Sequence, residues 1–285
     1  MRRAQWLEGS LDAGDHWLAI LPVNLRTVLS MKNLPMKKLF LFALTALLTT
    51  TVFASSLSEV KTRGQMILGT DPQFAPFESR DERGNIVGFD VDVAIAIAKK
   101  IGVKLVTQPT ILEAIPTALN SGRVDIAISG IAANTNWKGT LFSQPYFDNS
   151  QVYAVRSGNP NKFALSNVRG RVVGVRANTI GFLAADEQLK PRGAKLKVYS
   201  SVAEGLKELR SGKVDAMILD APSLEYLMQK QPRTYQRIGT TLTIERYVIA
   251  VKRGSDLLPT INKAILDLRS SAEYTKLLEK WIVER

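Results

Sequence analysis

The chain has 285 residues and a formal net charge of +12, with no cysteine and a single histidine, His16. The absence of cysteine excludes disulfides, thiolate catalysis and cysteine-based zinc sites. A lone histidine near the N-terminus removes the imidazole on which Ser-His-Asp triads and most metal sites depend. Positive residues are scattered, with no run longer than two, the pattern of a solvated basic surface rather than a nucleic-acid-binding stripe.

Met36-Lys37-Lys38 opens a short basic region, and Leu39 to Phe53 is free of charge. Val52-Phe53-Ala54 then offers a cleavage site before Ser55. The uncharged stretch is shorter than the ~20 residues a membrane-spanning helix needs, so residues 36–54 are expected to be a secretory signal peptide. No cysteine follows it, which excludes a lipoprotein and leaves a free periplasmic protein. Residues 1–35 precede the natural start of such a leader and are expected to be a misassigned N-terminal extension.

From Ser55 onward strands and helices alternate. Met66 to Thr70 reads as a strand, Asp71 to Phe77 as a loop stiffened by two prolines, and Ile86 to Phe89 as a short extended piece. Asp90 to Ile101 has Val91, Ala94, Ile95 and Ala98 at helical spacing, with Gly102 as its stop. A strand at Val103 to Thr107, a helix at Leu112 to Ser121 and a strand at Asp125 to Ser129 follow. Gln151 to Arg156 reads as a strand leading out of this first unit. A second cycle gives strands at Val172 to Arg176, Leu196 to Tyr199 and Ala216 to Leu219, with helices at Thr179 to Leu189, Val202 to Arg210 and Ser223 to Gln229. Tyr247 to Val251 is the return strand, and Leu257 to Leu268 and Ala272 to Val283 are closing helices.

One phrase occurs twice in this order. Leu119-Asn120-Ser121-Gly122-Arg123-Val124-Asp125 reappears as Leu209-Arg210-Ser211-Gly212-Lys213-Val214-Asp215. Each copy reads as a helix stopped by glycine, followed by a buried strand opened by aspartate. Two copies imply two similar α/β lobes with a cleft between them, and clefts hold ligands. In such sheets ligands bind beyond the C-terminal ends of the strands. That rule picks out Asp71, Ser129 with Gly130, Arg176 to Thr179, and Asp220.

Gly88-Phe89-Asp90-Val91-Asp92-Val93 resembles the signature of the solute-binding proteins of bacterial polar amino-acid ABC importers, extracellular solute-binding family 3. Asp71 with Phe74-Ala75-Pro76-Phe77, Ser143-Gln144-Pro145-Tyr146, Gly174-Val175 with Thr179, and Val214-Asp215-Ala216 with Asp220 support it in the same order. The resemblance covers nearly all of residues 58–285. It implies a two-lobed type II periplasmic-binding-protein fold, with two mostly parallel sheets. Lobe 1 would hold residues 55–153 and 248–285, and lobe 2 residues 154–247. Crossings near residues 151–156 and 246–251 would act as a hinge. It further implies a monomer that captures a small polar solute and delivers it to an inner-membrane ABC permease, with no cofactor, no metal and no chemistry on the solute.

The same resemblance assigns roles. Asp220 matches the partner of a ligand ammonium, with a helix N-cap as the plain alternative. Asp71 matches a residue beside the ligand, and Phe74 an aromatic lining, with Phe77 behind it. Thr179 matches a receiver of the ligand carboxylate at a helix N-terminus, or a simple N-cap. Asn178 stands where glycine is usual, and asparagine tolerates the left-handed backbone. Asp90 and Asp92 read as structural residues at a helix start. The family's Thr-x-x-Arg clamp is replaced by Thr135-Asn136-Trp137-Lys138. An ungapped count puts Trp137 at the arginine position, whereas matching Thr135 puts Lys138 one residue later. Lysine lacks the two-pronged geometry of arginine, and Trp137 offers a face for a cationic or flat ligand. Arg176 or Lys138 is expected to take over the anionic end. A cyclohexadienyl-dehydratase-like enzyme on the same fold is the alternative. Its general acid falls at Gly181, so that alternative is disfavoured.

Overall fold

A computed structural model describes residues 56–133 and 135–282. The expected leader and N-terminal extension lie outside the described residues, as does Asn134. In chain order the larger elements are α1 (Leu57–Arg63), β1 (Gln65–Thr70), β2 (Ser79–Arg80), β3 (Ile86–Val87), α2 (Phe89–Ile101), β4 (Lys104–Pro109), α3 (Ile115–Asn120), β5 (Ile126–Ala127), β6 (Thr140–Phe142) and β7 (Phe147–Arg156). There follow β8 (Val172–Arg176), α4 (Ile180–Gln188), β9 (Lys195–Tyr199), α5 (Val202–Ser211), β10 (Ala216–Asp220), α6 (Ala221–Lys230), β11 (Tyr235–Tyr247), β12 (Ala250–Lys252), α7 (Leu257–Arg269) and α8 (Ala272–Trp281).

Ten of the strands form two five-stranded sheets, β4-β1-β5-β12-β6 and β11-β7-β10-β8-β9, and β2 and β3 form a small antiparallel pair of their own. Where helices connect the strands, pairing is parallel: β1 with β4 and β5, and β8 with β9 and β10. The other strands pair antiparallel: β12 with β5 and β6, β7 with β10, and β11 with β7. Both sheets are therefore mixed rather than mostly parallel. A chain that arrives from the other lobe does so through an extended segment, without a crossover helix to reverse its direction. Apolar clusters cover both faces of each sheet, one around Phe77, Phe89 and Ile97 and another around Ile115, Leu119 and Ala250 in the first. Their counterparts in the second centre on Leu209, Met217 and Leu224, and on Tyr153, Val175 and Ala185.

The repeated phrase does the same job twice. Gly122 and Gly212 are both left-handed and both turn the chain back from a helix. Asp125 then locks onto the neighbouring strand: its N–H donates to the Ile67 carbonyl (2.9 Å) and its Oδ2 accepts from Ile67 N (2.7 Å). Asp215 repeats this with Val172, at 2.8 Å in both directions. Arg63 pairs with the first carboxylate and Arg171 with the second. Each aspartate thus registers one strand beside the next.

Two segments carry the chain between the sheets, residues 143–146 and 248–249, and they run side by side. Ser143 N donates to Ile249 O and Ile249 N to Ser143 Oγ, both at 2.9 Å. Tyr146 N donates to Tyr247 O at 2.9 Å. The β7–β11 pair extends from there, from Phe147 opposite Tyr247 to Arg156 opposite Tyr235. Phe147 and Tyr247 pack in the first lobe's core, whereas Val152 and Ala154 pack in the second. Sequence reading missed most of β11, because only its Tyr235, Glu245 and Tyr247 are buried and it carries little apolar signal. It also ran Tyr247 to Val251 together, where β11 ends and β12 begins.

Candidate functional site

Four strand ends converge. β1 delivers Asp71, β5 leads to Ser129 and Gly130, β8 ends in Arg176, and β10 ends in Asp220. Between the sheets lies a cavity of about 630 Å³, within the size range of small-molecule sites. Of the nine residues singled out from sequence, Phe74, Ser129, Gly130, Trp137, Arg176, Thr179 and Asp220 line it. Asp71 and Lys138 do not.

Asp71 sits behind the wall and is almost fully buried. Its Oδ2 accepts from Arg176 Nη2 at 2.8 Å and from Leu112 N at 3.3 Å. This ion pair joins the two lobes and neutralises Arg176, the one cationic side chain among the described lining residues. Arg176 Nε is buried with no partner. Lys138 is exposed, and only its carbonyl is engaged, by Asn120 Nδ2 at 3.0 Å. Trp137 lines the cavity, and its ring packs 6.0 Å from Phe142.

The floor in the first lobe is a rigid hydrogen-bonded unit. Ser129 Oγ donates to Glu78 Oε1 (2.7 Å) and accepts from Asp71 N (3.1 Å). Asp90 accepts from Gly130 N (2.9 Å) and from the Tyr146 hydroxyl (2.7 Å). Burial raises Glu78 well above the usual carboxylate range, helped by the Asp90 charge. Burial also raises Asp90, to about 6. Asp92 lies on the opposite side and accepts from Lys280 and Trp281, both at 2.7 Å. Neither helix-start aspartate lines the cavity. Gly130 has φ 55°, and a Cβ there would meet Phe74 Cε1 at 2.6 Å. Glycine is what lets the Phe74 ring reach the cavity, with Phe77 stacked behind it at 5.2 Å.

In the second lobe Thr179 caps α4. Its Oγ1 accepts from Phe182 N (3.2 Å) and donates to Arg176 O (2.8 Å), so the capping alternative is realised. Asn178 takes the left-handed backbone, with φ 59°. Asp220 occupies the N-cap position of α6 but makes no capping bond. Its Oδ1 accepts instead from Gln151 Nε2 (2.8 Å), Asn149 Nδ2 and the Tyr247 hydroxyl.

Sequence reading missed this cradle and the acid that shares it. Glu245 Oε1 accepts from Asn149 Nδ2 at 2.7 Å and from Gln151 Nε2. Burial and the neighbouring Asp220 charge push Glu245 up to about 8. Burial raises Asp220 as well, against the hydroxyl and amide bonds that favour its ionised form. Glu245 and Gln151 both line the cavity. They sit on strands at the lobe crossing and belong to no short motif. The only available signal was their place beside the expected hinge.

The family model for bacterial extracellular solute-binding proteins, family 3, matches residues 66–284. The chain belongs to that family. It is 30% identical over 221 residues to the "Probable histidine-binding protein" of Neisseria gonorrhoeae, covering 76% of this chain and 82% of that protein. A solved ancestral arginine-binding protein bound to arginine superposes with a TM-score of 0.70 at 37% identity, covering 78% of this chain and 99% of that one. An ancestral amino acid-binding protein described as a precursor of cyclohexadienyl dehydratase gives a TM-score of 0.72 at 32% identity, covering 80% and 100%. As a member of this family the chain is a two-lobed solute-binding protein.

Proposed function

We propose that the protein is a periplasmic receptor that captures an amino acid or a closely related amine in the inter-lobe cavity and hands it to an ABC permease of the inner membrane. The observation that carries this reading is Asp220. A carboxylate held by three donors, nine-tenths buried and lining a cavity, is suited to a ligand ammonium. The first turn of α4, beside Thr179 and Arg176, offers a positive end for a carboxylate. Phe74 and Trp137 supply apolar faces for the solute's side chain. The antiparallel crossing segments at residues 143–146 and 248–249 act as the hinge, and the protein works as a monomer.

No chemistry on the solute is part of this function. A Cβ at Gly181 would meet Gln151 Oε1 and Ile218 Cγ2 at 2.9 Å. The place where a dehydratase-like general acid would stand is therefore filled by neighbours. A thermal-shift screen of amino acids, amines, opines and small acids tests the reading. A solute at one hundred times its Kd adds about 2.7 kcal/mol, a rise of several degrees. Stabilisation by an amino acid or amine is expected. A flat response to every compound, or turnover of prephenate, would contradict it.

A further inference from the structure

Glu245 lies outside every motif of the sequence, yet three observations place it in the solute's path. It lines the cavity while only 9% exposed. Its Oε1 shares two donors, Asn149 Nδ2 and Gln151 Nε2, with Asp220 Oδ1, so one pair of amides ties the two carboxylates together. Both carboxylates are buried and both border the cavity, so a solute at that wall meets the two acids together. Arg176, the one cation among the described lining residues, is committed to Asp71.

Resting on the capture reading above, we propose that Asp220 and Glu245 form a two-carboxylate subsite for one cationic nitrogen of the solute, and that the arriving cation displaces the proton held by the empty pair. The charges balance. The empty pair holds one proton and carries a single negative charge. When the cation enters, the Glu245 O–H bond breaks and the proton leaves to water. Two carboxylates with one cation again sum to a single negative charge. A neutral head group cannot make this exchange, because it would leave two unscreened carboxylates side by side in a poorly solvated wall.

The groups bonded to the pair are Asn149 and Gln151 from β7 and the Tyr247 hydroxyl from β11. Glu113, Arg176, Asn178 and Thr179 line the same cavity, and the cation among them, Arg176, is paired with Asp71. Proton and solute compete for the same oxygens, so affinity rises with pH up to about 8, the value to which Glu245 is pushed. The slope is roughly tenfold per pH unit below that point.

The test is calorimetric titration of the full chain with L-arginine, L-lysine and agmatine, in two buffers of different protonation heat, at pH 6 and pH 7. The expected result is release of close to one proton per solute bound, with affinity about tenfold weaker at pH 6. Glu245→Gln copies the protonated side chain, so its native melting is retained. It should abolish proton release and weaken the cation at least tenfold. Binding without buffer-dependent heat, or a Glu245→Gln protein that binds and releases protons like the parent, would overturn the subsite. If only neutral or anionic solutes bind, the subsite falls and the capture reading stands. If nothing binds in the wider screen, both fall.

Discussion

Two pairs of buried acids sit on either side of this cleft, and only one of them faces it. Glu78 and Asp90 lie under the first lobe, fully buried, with Ser129, Gly130 and Tyr146 as donors. Asp220 and Glu245 lie at the second lobe's edge, also buried, with Asn149, Gln151 and Tyr247 as donors. Burial raises all four above the ordinary carboxylate range. The difference is access. The first pair is sealed by Phe89, Tyr146 and the 129–130 turn, and holds that turn in shape. The second pair lines the cavity and the first does not. A perturbed acid is therefore not by itself a sign of a site. The deciding feature is whether that acid borders a cavity.

That contrast predicts opposite phenotypes. Asp90→Ala removes the acceptor for Gly130 N and the Tyr146 hydroxyl and should cost about 2–4 kcal/mol of stability, read as a clearly lower Tm. Asp220→Asn should leave the Tm within a few degrees but weaken a cationic solute about a hundredfold, read by titration, since pairing with a buried charge is worth roughly 2–5 kcal/mol. A hundredfold loss with Asp90→Asn in a protein of normal Tm would erase the distinction.

The pH dependence sharpens it. Acids whose folded pKa is raised bind more protons folded than unfolded, so their stabilisation is complete below about 4.5 and fades as pH rises through the folded value. The ligand-free protein should therefore melt lower at pH 8 than at pH 5. The Asp90 contribution fades from about pH 4 and is gone above about 6, whereas the Glu245 contribution goes on fading up to about 8. Glu245→Gln should make the fall in Tm between pH 6 and 8 shallower. A Tm that climbs between pH 5 and 8 would contradict both assignments. The smallest effect is expected at Lys138, which is exposed and off the cavity wall. Lys138→Ala should change solute affinity less than twofold, and a tenfold loss would return it to the site.

Much of this was legible from the chain, for reasons that particular residues make plain. The strand-end rule found Asp71, Ser129, Arg176 and Asp220 because a parallel βαβ unit always presents that end of its strands to a ligand. The doubled phrase showed two lobes because Asp125 and Asp215 perform one local task twice. Lys138 was a different matter, since its direction depends on how the 135–139 turn folds, and spacing alone does not determine that. Asp71 was placed near the right spot, but its partner across the cleft makes it a brace for Arg176 rather than part of the wall. Glu245, Asn149 and Gln151 were silent because their meeting depends on the register of β7 against β11, a long-range pairing with a shift between Ile238 and Thr243. No local window contains that information.

The most direct measurement is a crystal structure with the best solute from the stability screen. The account predicts a cationic nitrogen of that solute within about 3 Å of Asp220 Oδ2 and Glu245 Oε2, with Arg176 still beside Asp71 or turned toward an anionic end. A solute whose anionic or apolar end faces Asp220, or one bound outside the inter-lobe cavity, would contradict it.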